Sequence, residues 1–555
     1  MSDCLQLKKS NCKDCYKCIR NCPVKSISFS DHQAHIVPDE CILCGMCFVS
    51  CPQNAKQIRN DVGRAKALLD AGKTVYASVA PSFVANYAGI SMDTMEVALR
   101  ELGFAGAEET AVGATIVKKE YERMLQADKN RVLISSCCHS INTLIQKYYP
   151  EALSYLAQIL SPMQAHCQAI KAAHPGAAVV FIGPCISKKD EAEQYPGYAD
   201  VVLTFEELSE WMEQAGVTFS QAPDSRTRAR ARLFPTTGGI IRSMDLDADI
   251  DYFAIDGVEQ CMAALEDILD GKMHNCFIEM SACKGSCVGG PVMSRAHNLP
   301  VRDFMAVNRF AGREDFDVVM PGAIQKPMQY AAMKKQMPGS AAIAEILKKM
   351  GKSTPDQELN CGSCGYNTCR DKAIAVFNGK ADLDMCLPYL KDKAESFSDT
   401  IINNTPNGII VLNEDLEIQQ INKAACEILN IAQAADVIDA PIIRITDPTD
   451  YFLAVHNQEN VNNKQKYLAQ YEKYVEETII YDPEYHIVMS IMKDITSLET
   501  ARNKKAEQSA QAVEITDKVV EKQMRVVQEI ASLLGETTAE TKIALTKLKE
   551  TLSDE

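Results

Sequence analysis

The chain is poor in several features that would direct a reading elsewhere. Its longest apolar run, around Ala177 to Ile182, is far short of the roughly 20 residues that a membrane-spanning helix needs. Basic residues are outnumbered, 58 against 74 acidic, for a net charge of −16. The one arginine-rich stretch, Arg226, Arg228, Arg230 and Arg232, reads as a solvated loop. No nucleic acid and no membrane is therefore expected as a partner. The opening MSDCLQLKKSNC has no apolar leader core, so a soluble, cytoplasmic protein is expected, with oxygen a hazard to it. There is one tryptophan, Trp211, and the nine histidines are scattered; all read as structural, with His139 set apart by its position alone.

Cysteine, by contrast, is abundant: 22 in 555 residues, sixteen of them in metal-ligand constellations. Cys12, Cys15 and Cys18 are two residues apart, and Cys22 follows ahead of Pro23. Cys41, Cys44, Cys47 and Cys51, ahead of Pro52, repeat the pattern. This is the spacing of a two-cluster bacterial ferredoxin module, in which the fourth thiolate of each [4Fe-4S] cube comes from the other run. On that rule Cys12, Cys15, Cys18 and Cys51 hold one cluster, and Cys41, Cys44, Cys47 and Cys22 the other. Zinc prefers paired C-x2-C elements, and disulfides belong to oxidising compartments, so neither fits as well.

Length suggests three to five units. Residues 1–60 form the ferredoxin module. Over 61–350, apolar runs alternate with amphipathic helices, which argues for α/β architecture with parallel strands. Strands are expected at Val75–Val79, Val132–Ile134, Val179–Ile182 and Cys276–Ile278, and helices at Asp93–Leu102, Glu206–Gln214 and Val258–Leu269. Each strand is followed at once by chemically distinctive residues: Pro81 and Ser82, then Cys137 and Cys138, then Cys185, then Cys283 and Cys287. Loops at the carboxyl ends of parallel strands are where such folds build ligand sites. Four distant loops are expected to meet in one pocket.

The loops SSCCHS, GPCISKKDE and MSACKGSCVGG, with APSF upstream and FPTTGG between, resemble the signature motifs of [FeFe]-hydrogenases in their proper order. The resemblance runs from the ferredoxin module to about residue 350 and implies an H-cluster: a [4Fe-4S] cube joined to a two-iron centre with CO, cyanide and azadithiolate. It assigns Cys138, Cys185 and Cys283 to the cube and Cys287 to the bridge between the two parts. Lys188 would bond one cyanide, Pro81 and Ser82 would contact the other, and Cys137 would pass protons. The implied activity is reversible heterolytic splitting of dihydrogen, of the ferredoxin hydrogenase type, with H2, protons and a ferredoxin-like or intramolecular redox partner.

Several positions depart from catalytic members. His139 stands where they have proline, Gly183 and Ser281 where they have methionine, and Thr115 to Lys119 where a glutamate pair relays protons. A lysine is a poor substitute for a carboxylate in a relay working near neutral pH. A roomier or more polar pocket and slow turnover are expected.

Beyond a linker at Gly351 to Asp356, Cys361, Cys364, Cys369 and Cys386 resemble a small third [4Fe-4S] domain, spanning 351–392, with zinc as the alternative. Residues 393–497 resemble a PAS domain: a hairpin of Ile409–Leu412 and Glu417–Ile421, a helix at Lys423–Leu429, and strands near Glu477–Tyr481 and Tyr485–Met492. The tail, 498–555, reads as helical and coiled-coil-like, with Val513, Val520, Met524, Val527, Ile530 and Leu534 forming a seam for a partner helix. Gly535 is expected to break it, and Thr537 with Glu540 to cap a last helix through Leu552. No phosphoacceptor histidine or ATP-binding motif follows, so output would go to a separate kinase or phosphatase, with homo-oligomerisation through the PAS domain and tail. The whole resembles the PAS-containing, sensory group of [FeFe]-hydrogenases. The alternatives are a metabolic ferredoxin-linked hydrogenase and a non-enzymatic iron-sulfur relative without the two-iron centre. Cys4, Cys167, Cys261, Cys276 and Cys426 read as ordinary packing or surface residues.

Overall fold

The computed structural model describes residues 4–8, 11–128, 131–222, 224–293, 300–320, 322–333 and 336–551. Leu552, the expected end of the last helix, lies outside the described residues. The chain divides into two compact units, 1–390 and 391–555.

The first unit opens with two small antiparallel pairs, Leu5–Leu7 with Lys56–Ile58 and Ile27–Ser30 with Gln33–Ile36. Between them lie two one-turn helices, Lys17–Arg20 and Met46–Val49. Each helix is entered through a left-handed residue, Tyr16 (φ 51°) and Gly45 (φ 74°), which turns the chain back within a cysteine triplet. Gly45 is also a contact point: a Cβ there would stand 2.6 Å from the Pro291 ring, where the module meets the next domain.

That domain is α/β, with every paired strand parallel, but it has two sheets. Gly106–Glu109, Val75–Val79, Ala178–Gly183 and Val201–Thr204 lie side by side in that order in one. Asp251–Asp256, Cys276–Ser281 and Val132–Ile134 form the other. The four strands expected to deliver the distinctive loops are thus two neighbours in each sheet. Helices Met92–Glu101, Phe205–Ala215 and Val258–Leu269 fall where the apolar spacing puts them. Trp211 packs against Phe104 in the core, and Cys4, Cys167, Cys261 and Cys276 are buried.

The arginine run is not a solvated loop. Arg232 is fully buried, with two bonds to Glu109 (2.5 and 2.7 Å), and its guanidinium lies 3.8 Å from the Phe310 ring centre. Arg226 pairs with Asp93 and Glu96, and Arg230 with Asp245 and Asp315. Arg230 and Arg232 lie in a short 3-10 turn, Arg230–Leu233, and with Arg226 they meet carboxylates distant in sequence that the run itself does not reveal.

The cysteine-bearing segment after residue 360 packs on the ferredoxin module: Cys364, Tyr366, Ala375 and Met385 share a core with Cys18, Cys22 and Cys47. Helix Ser340–Lys349 joins this small layer, with Leu347 and Met350 against Ala373 and Cys386.

The second unit holds a five-stranded antiparallel sheet ordered Ile418–Ile421, Gly408–Asn413, Ile487–Asp494, Lys473–Asp482, Val461–Leu468. Alternation buries Ile410, Leu412, Val475, Ile479, Val488 and Met492 on one face. The edge strand Val461–Leu468 has no apolar alternation and is mostly exposed, which is why the sequence conceals it. The last helix runs unbroken from Thr496 to Thr551, so Gly535 does not end it. One glycine costs a helix only about 1 kcal/mol, and the surrounding leucine, alanine, glutamate and lysine outweigh that. Thr537 does not cap; its hydroxyl donates to the Leu533 carbonyl at 2.7 Å, one turn back. Val513, Val520, Met524, Val527, Ile530 and Leu534 are all exposed along it.

Candidate active site

The loops leaving the two sheets enclose a cavity of about 120 Å³. Cys137, Cys138, Cys185, Cys283 and Cys287 all line it, with Pro81, Ser82, Lys188, Phe181, Glu279 and Cys44. Each loop is delivered by a buried strand. Cys185 follows Ala178–Gly183, and Cys283 follows Cys276–Ser281. Cys138 is the residue before helix His139–Tyr148.

The thiols sit in a dry environment. Burial pushes the Cys137 thiol up to about 12 and raises Cys138, Cys283 and Cys287 as well. At Cys138, Cys283 and Cys287 a metal would have to take the place of the proton. The Ser82 hydroxyl is fully buried without a hydrogen-bond partner. A buried polar group left bare is costly and points to an acceptor that belongs in the cavity.

Lys188 is held by two acceptors, Glu191 Oε2 (2.5 Å) and the Cys137 carbonyl (3.0 Å). Burial opposes its charge, but Glu191 outweighs burial and holds the lysine above its ordinary value. An ammonium has three donors. The third has no protein acceptor among the described residues. A bare serine hydroxyl, a spare ammonium donor and a ring of thiols fit an anionic iron group with polar ligands.

The departures from the hydrogenase pattern resolve individually. Gly183 does not make the pocket roomier: a Cβ there would meet the Phe181 ring at 2.8 Å, so an aromatic ring occupies that space. His139 is buried, with Nε2 3.0 Å from Asp190 Oδ2. Lys118 is fully buried and committed elsewhere, to Asp315 (2.7 Å) and the Ser243 carbonyl (2.8 Å). It does not line the cavity, whose wall receives Thr110 and Ala114 from the start of its helix, Ala111–Ala127.

Two residues that sequence reasoning passed over stand beside Cys137. Tyr121 Oη is 3.3 Å from its sulfur and accepts from the Ser136 amide at 2.9 Å. Glu279, on the second sheet's central strand, is buried in the cavity wall. It accepts from the amides of Gly238, Ile240 and Ile241 at 3.0–3.2 Å. Burial nevertheless raises its carboxyl to about 7. The signal for both was their place on elements already recognised, Glu279 four residues before Cys283 and Tyr121 two after Lys119.

The twelve other motif cysteines cluster in three groups. Cys12, Cys15, Cys18 and Cys51 line one small cavity. The Cys47 thiol is raised by burial and by Cys41, Cys44 and Cys22, the crossed set expected from the spacing. Cys361, Cys364, Cys369 and Cys386 line a third. Among the described residues no three His, Cys, Asp or Glu side chains are placed to hold a metal ion. Lys147, near the end of the helix that starts after Cys138, donates to the Cys41 carbonyl at 2.7 Å. One helix thus ties the ferredoxin loop to the main cavity.

Comparison with known proteins matches the chain to four domain families. Residues 73–291 match the family described as iron only hydrogenase large subunit, C-terminal domain. Residues 11–61 match a 4Fe-4S dicluster domain, 357–388 a putative Fe-S cluster domain, and 396–491 the PAS fold. Iron hydrogenase 1 of Clostridium pasteurianum is 26% identical over 306 residues, 43% of this chain and 53% of that protein. The chain therefore spans about half the length of that relative. The periplasmic [Fe] hydrogenase large subunit of Nitratidesulfovibrio vulgaris is 25% identical over 366 residues, 52% of this chain and 86% of that one. A solved [FeFe]-hydrogenase from Chlamydomonas reinhardtii aligns at 17% identity and TM-score 0.37, covering 45% of this chain and 88% of its own.

Proposed function

We propose that this chain, which joins an iron-only hydrogenase domain to a dicluster ferredoxin domain and a PAS fold, is a hydrogen sensor: a slow, reversible hydrogenase whose redox state is passed to a separate output protein. The carrying observation is the single cavity lined by Cys137, Cys138, Cys185, Cys283 and Cys287, with Lys188 in its wall. Cys138, Cys185, Cys283 and Cys287 would hold the H-cluster, whose two-iron part supplies the site at which dihydrogen is polarised and split. Lys188 and Ser82 would anchor its charged ligands, since a buried ammonium and hydroxyl bond an anionic acceptor strongly in a dry pocket.

Protons then move through the chain's own groups. Cys137 holds a proton on sulfur at neutral pH, beside the Tyr121 hydroxyl. Glu279, with a carboxyl near 7, is suited to take and return a proton at physiological pH. This route differs from the helix carboxylates of catalytic relatives, whose place is taken by Thr115 to Lys119, and it supports low turnover.

Electrons have a structural path through the Cys41–Cys51 loop, where Cys44 lines the main cavity. A branch leads to the Cys361–Cys386 group: Lys25, beside Cys22, donates to the Gly365 carbonyl at 2.9 Å, and Arg20 donates to the Ser363 carbonyl at 3.1 Å. Cys386 directly precedes helix Leu387–Asn404, which leads into the PAS sheet at Gly408. The long terminal helix would carry the output, and its exposed apolar seam favours assembly with a second copy.

The test is anaerobic cluster reconstitution followed by loading with a synthetic two-iron azadithiolate complex. Infrared bands of iron-bound CO and cyanide are expected, with hydrogen oxidation well below that of catalytic relatives. Absent bands in fully reconstituted protein would remove the hydrogenase reading; fast turnover with an external ferredoxin would replace the sensor by a metabolic enzyme.

A further inference from the structure

Lys326 is a buried cation outside residues 73–291, the segment matched by the hydrogenase family. Its own amide donates to the Gln158 carbonyl at 2.9 Å, and neighbouring Gln325 bridges to Ile159, so the backbone is fixed against the domain core. Its Nζ lies 2.8 Å from Glu191 Oε1, 2.8 Å from Gln164 Oε1 and 4.8 Å from the Tyr195 ring centre. Glu191, fully buried, gives its other oxygen to Lys188 and to the Ser161 hydroxyl at 3.1 Å. Two lysines therefore share one carboxylate beside the cavity, and with both protonated the three groups sum to one positive charge.

We propose that Lys326 is a positioning residue that acts through Glu191 to keep Lys188 available to the cavity. A Lys188–Glu191 pair alone would be neutral and mutually satisfied, and its ammonium would have little left to offer an incoming anion. With Lys326 engaging one carboxylate oxygen, Glu191 is divided between two cations. Lys188 keeps its geometry, pinned also by the Cys137 carbonyl, and a donor for the cyanide-bearing group. The surplus positive charge offsets an anionic centre in a site that excludes water. This inference rests on reading the cavity as the two-iron site.

The experiment compares K326Q, K326R and E191Q in full-length protein reconstituted and loaded with the same synthetic complex, read by infrared spectroscopy. In K326Q, Glu191 draws Lys188 back, so one cyanide band moves to lower wavenumber and loading falls. K326R keeps the cation and restores the wild-type band. E191Q frees Lys188 and moves the same band the opposite way, and in that background K326Q moves nothing further, which a merely structural role would not produce. If K326Q does not fold, the E191Q shift and the K326R rescue decide the matter. Cyanide bands at wild-type positions in folded K326Q, or in E191Q, overturn the proposal. Missing CO and cyanide bands in the unaltered protein would instead remove the reading of the cavity.

Discussion

Glu191 and Glu279 are both buried around the same cavity, and their surroundings drive them in opposite directions. Burial works against ionisation in each. At Glu191 two lysines outweigh burial and hold the carboxyl far below its usual range. At Glu279 three backbone amides do not outweigh it, and the carboxyl rises to about 7. The difference teaches what each can do. A carboxylate locked between ammonium groups is a fixed charge that orients its neighbours. One held by amide dipoles near neutrality can exchange a proton at the pH of the cell. On the proposed function, two identical side chains would divide anchoring from proton carriage within one site.

That division can be broken most severely at Glu279. In E279Q, hydrogen oxidation by the loaded protein should fall by at least about 100-fold, because a titrating carboxyl is removed from the proton route. Infrared bands should persist, since the cyanide-side anchors are untouched. Unchanged turnover would leave the proton route to Cys137 and Tyr121 alone.

Removing Glu191 should act on stability. E191A leaves Lys188 and Lys326 buried without their shared counter-charge, at a cost of about 3–5 kcal/mol read by denaturant unfolding. A loss below about 1 kcal/mol would show that water or another acceptor compensates both lysines.

The pH dependence of unfolding sharpens the contrast. Glu279 has a folded value near 7 against an ordinary value of 4.5, so between these the folded state holds more protons than the unfolded state. Its contribution to stability therefore falls as pH rises from about 4.5 to 7, by ~3 kcal/mol in all. Glu191 has a depressed value, so its contribution is present above the unfolded value and is lost as pH falls through the folded one. Subtracting the E279Q unfolding curve from that of the unaltered protein should isolate the first slope, and E191Q the second. Equal slopes would collapse the comparison.

The smallest effect is expected at Tyr121. Y121F removes the acceptor of the buried Ser136 amide, a cost of about 1–3 kcal/mol, and slows proton exchange at Cys137 only a few-fold if Glu279 carries the main traffic. A loss as large as that of E279Q would make the tyrosine an obligatory step.

Legibility in the sequence followed the range of the interaction. Cys12 to Cys22 and Cys41 to Cys51 were readable because a loop's ligands lie within a few residues of one another. The crossed pairing was an expectation from the ferredoxin pattern, because the fourth ligand of each cluster lies in the other run. The strands bearing Pro81, Cys138, Cys185 and Cys283 were readable as apolar runs, but their division between two sheets was not. Nothing local in Val132–Ile134 says whether its neighbour will be Cys276–Ser281 or Val75–Val79. Gly535 misled because a single weak helix former was weighed without its favourable flanks. Val461–Leu468 escaped notice because an exposed edge strand needs no apolar alternation.

Cysteine spacing by itself pointed to iron-sulfur clusters and apolar periodicity to an α/β domain and a terminal helix, while motif resemblance pointed to a hydrogenase-like site and a PAS fold. Those properties rest on residues near one another in the chain, where geometry is set by a turn, a strand or a helical period. The charge balance of the cavity was decided only by tertiary structure. Lys326, Glu191 and Glu279 come from distant elements, and burial together with the neighbouring charges and amides sets how each titrates. Removal from water depends on every surrounding segment at once, so no stretch of sequence contains it.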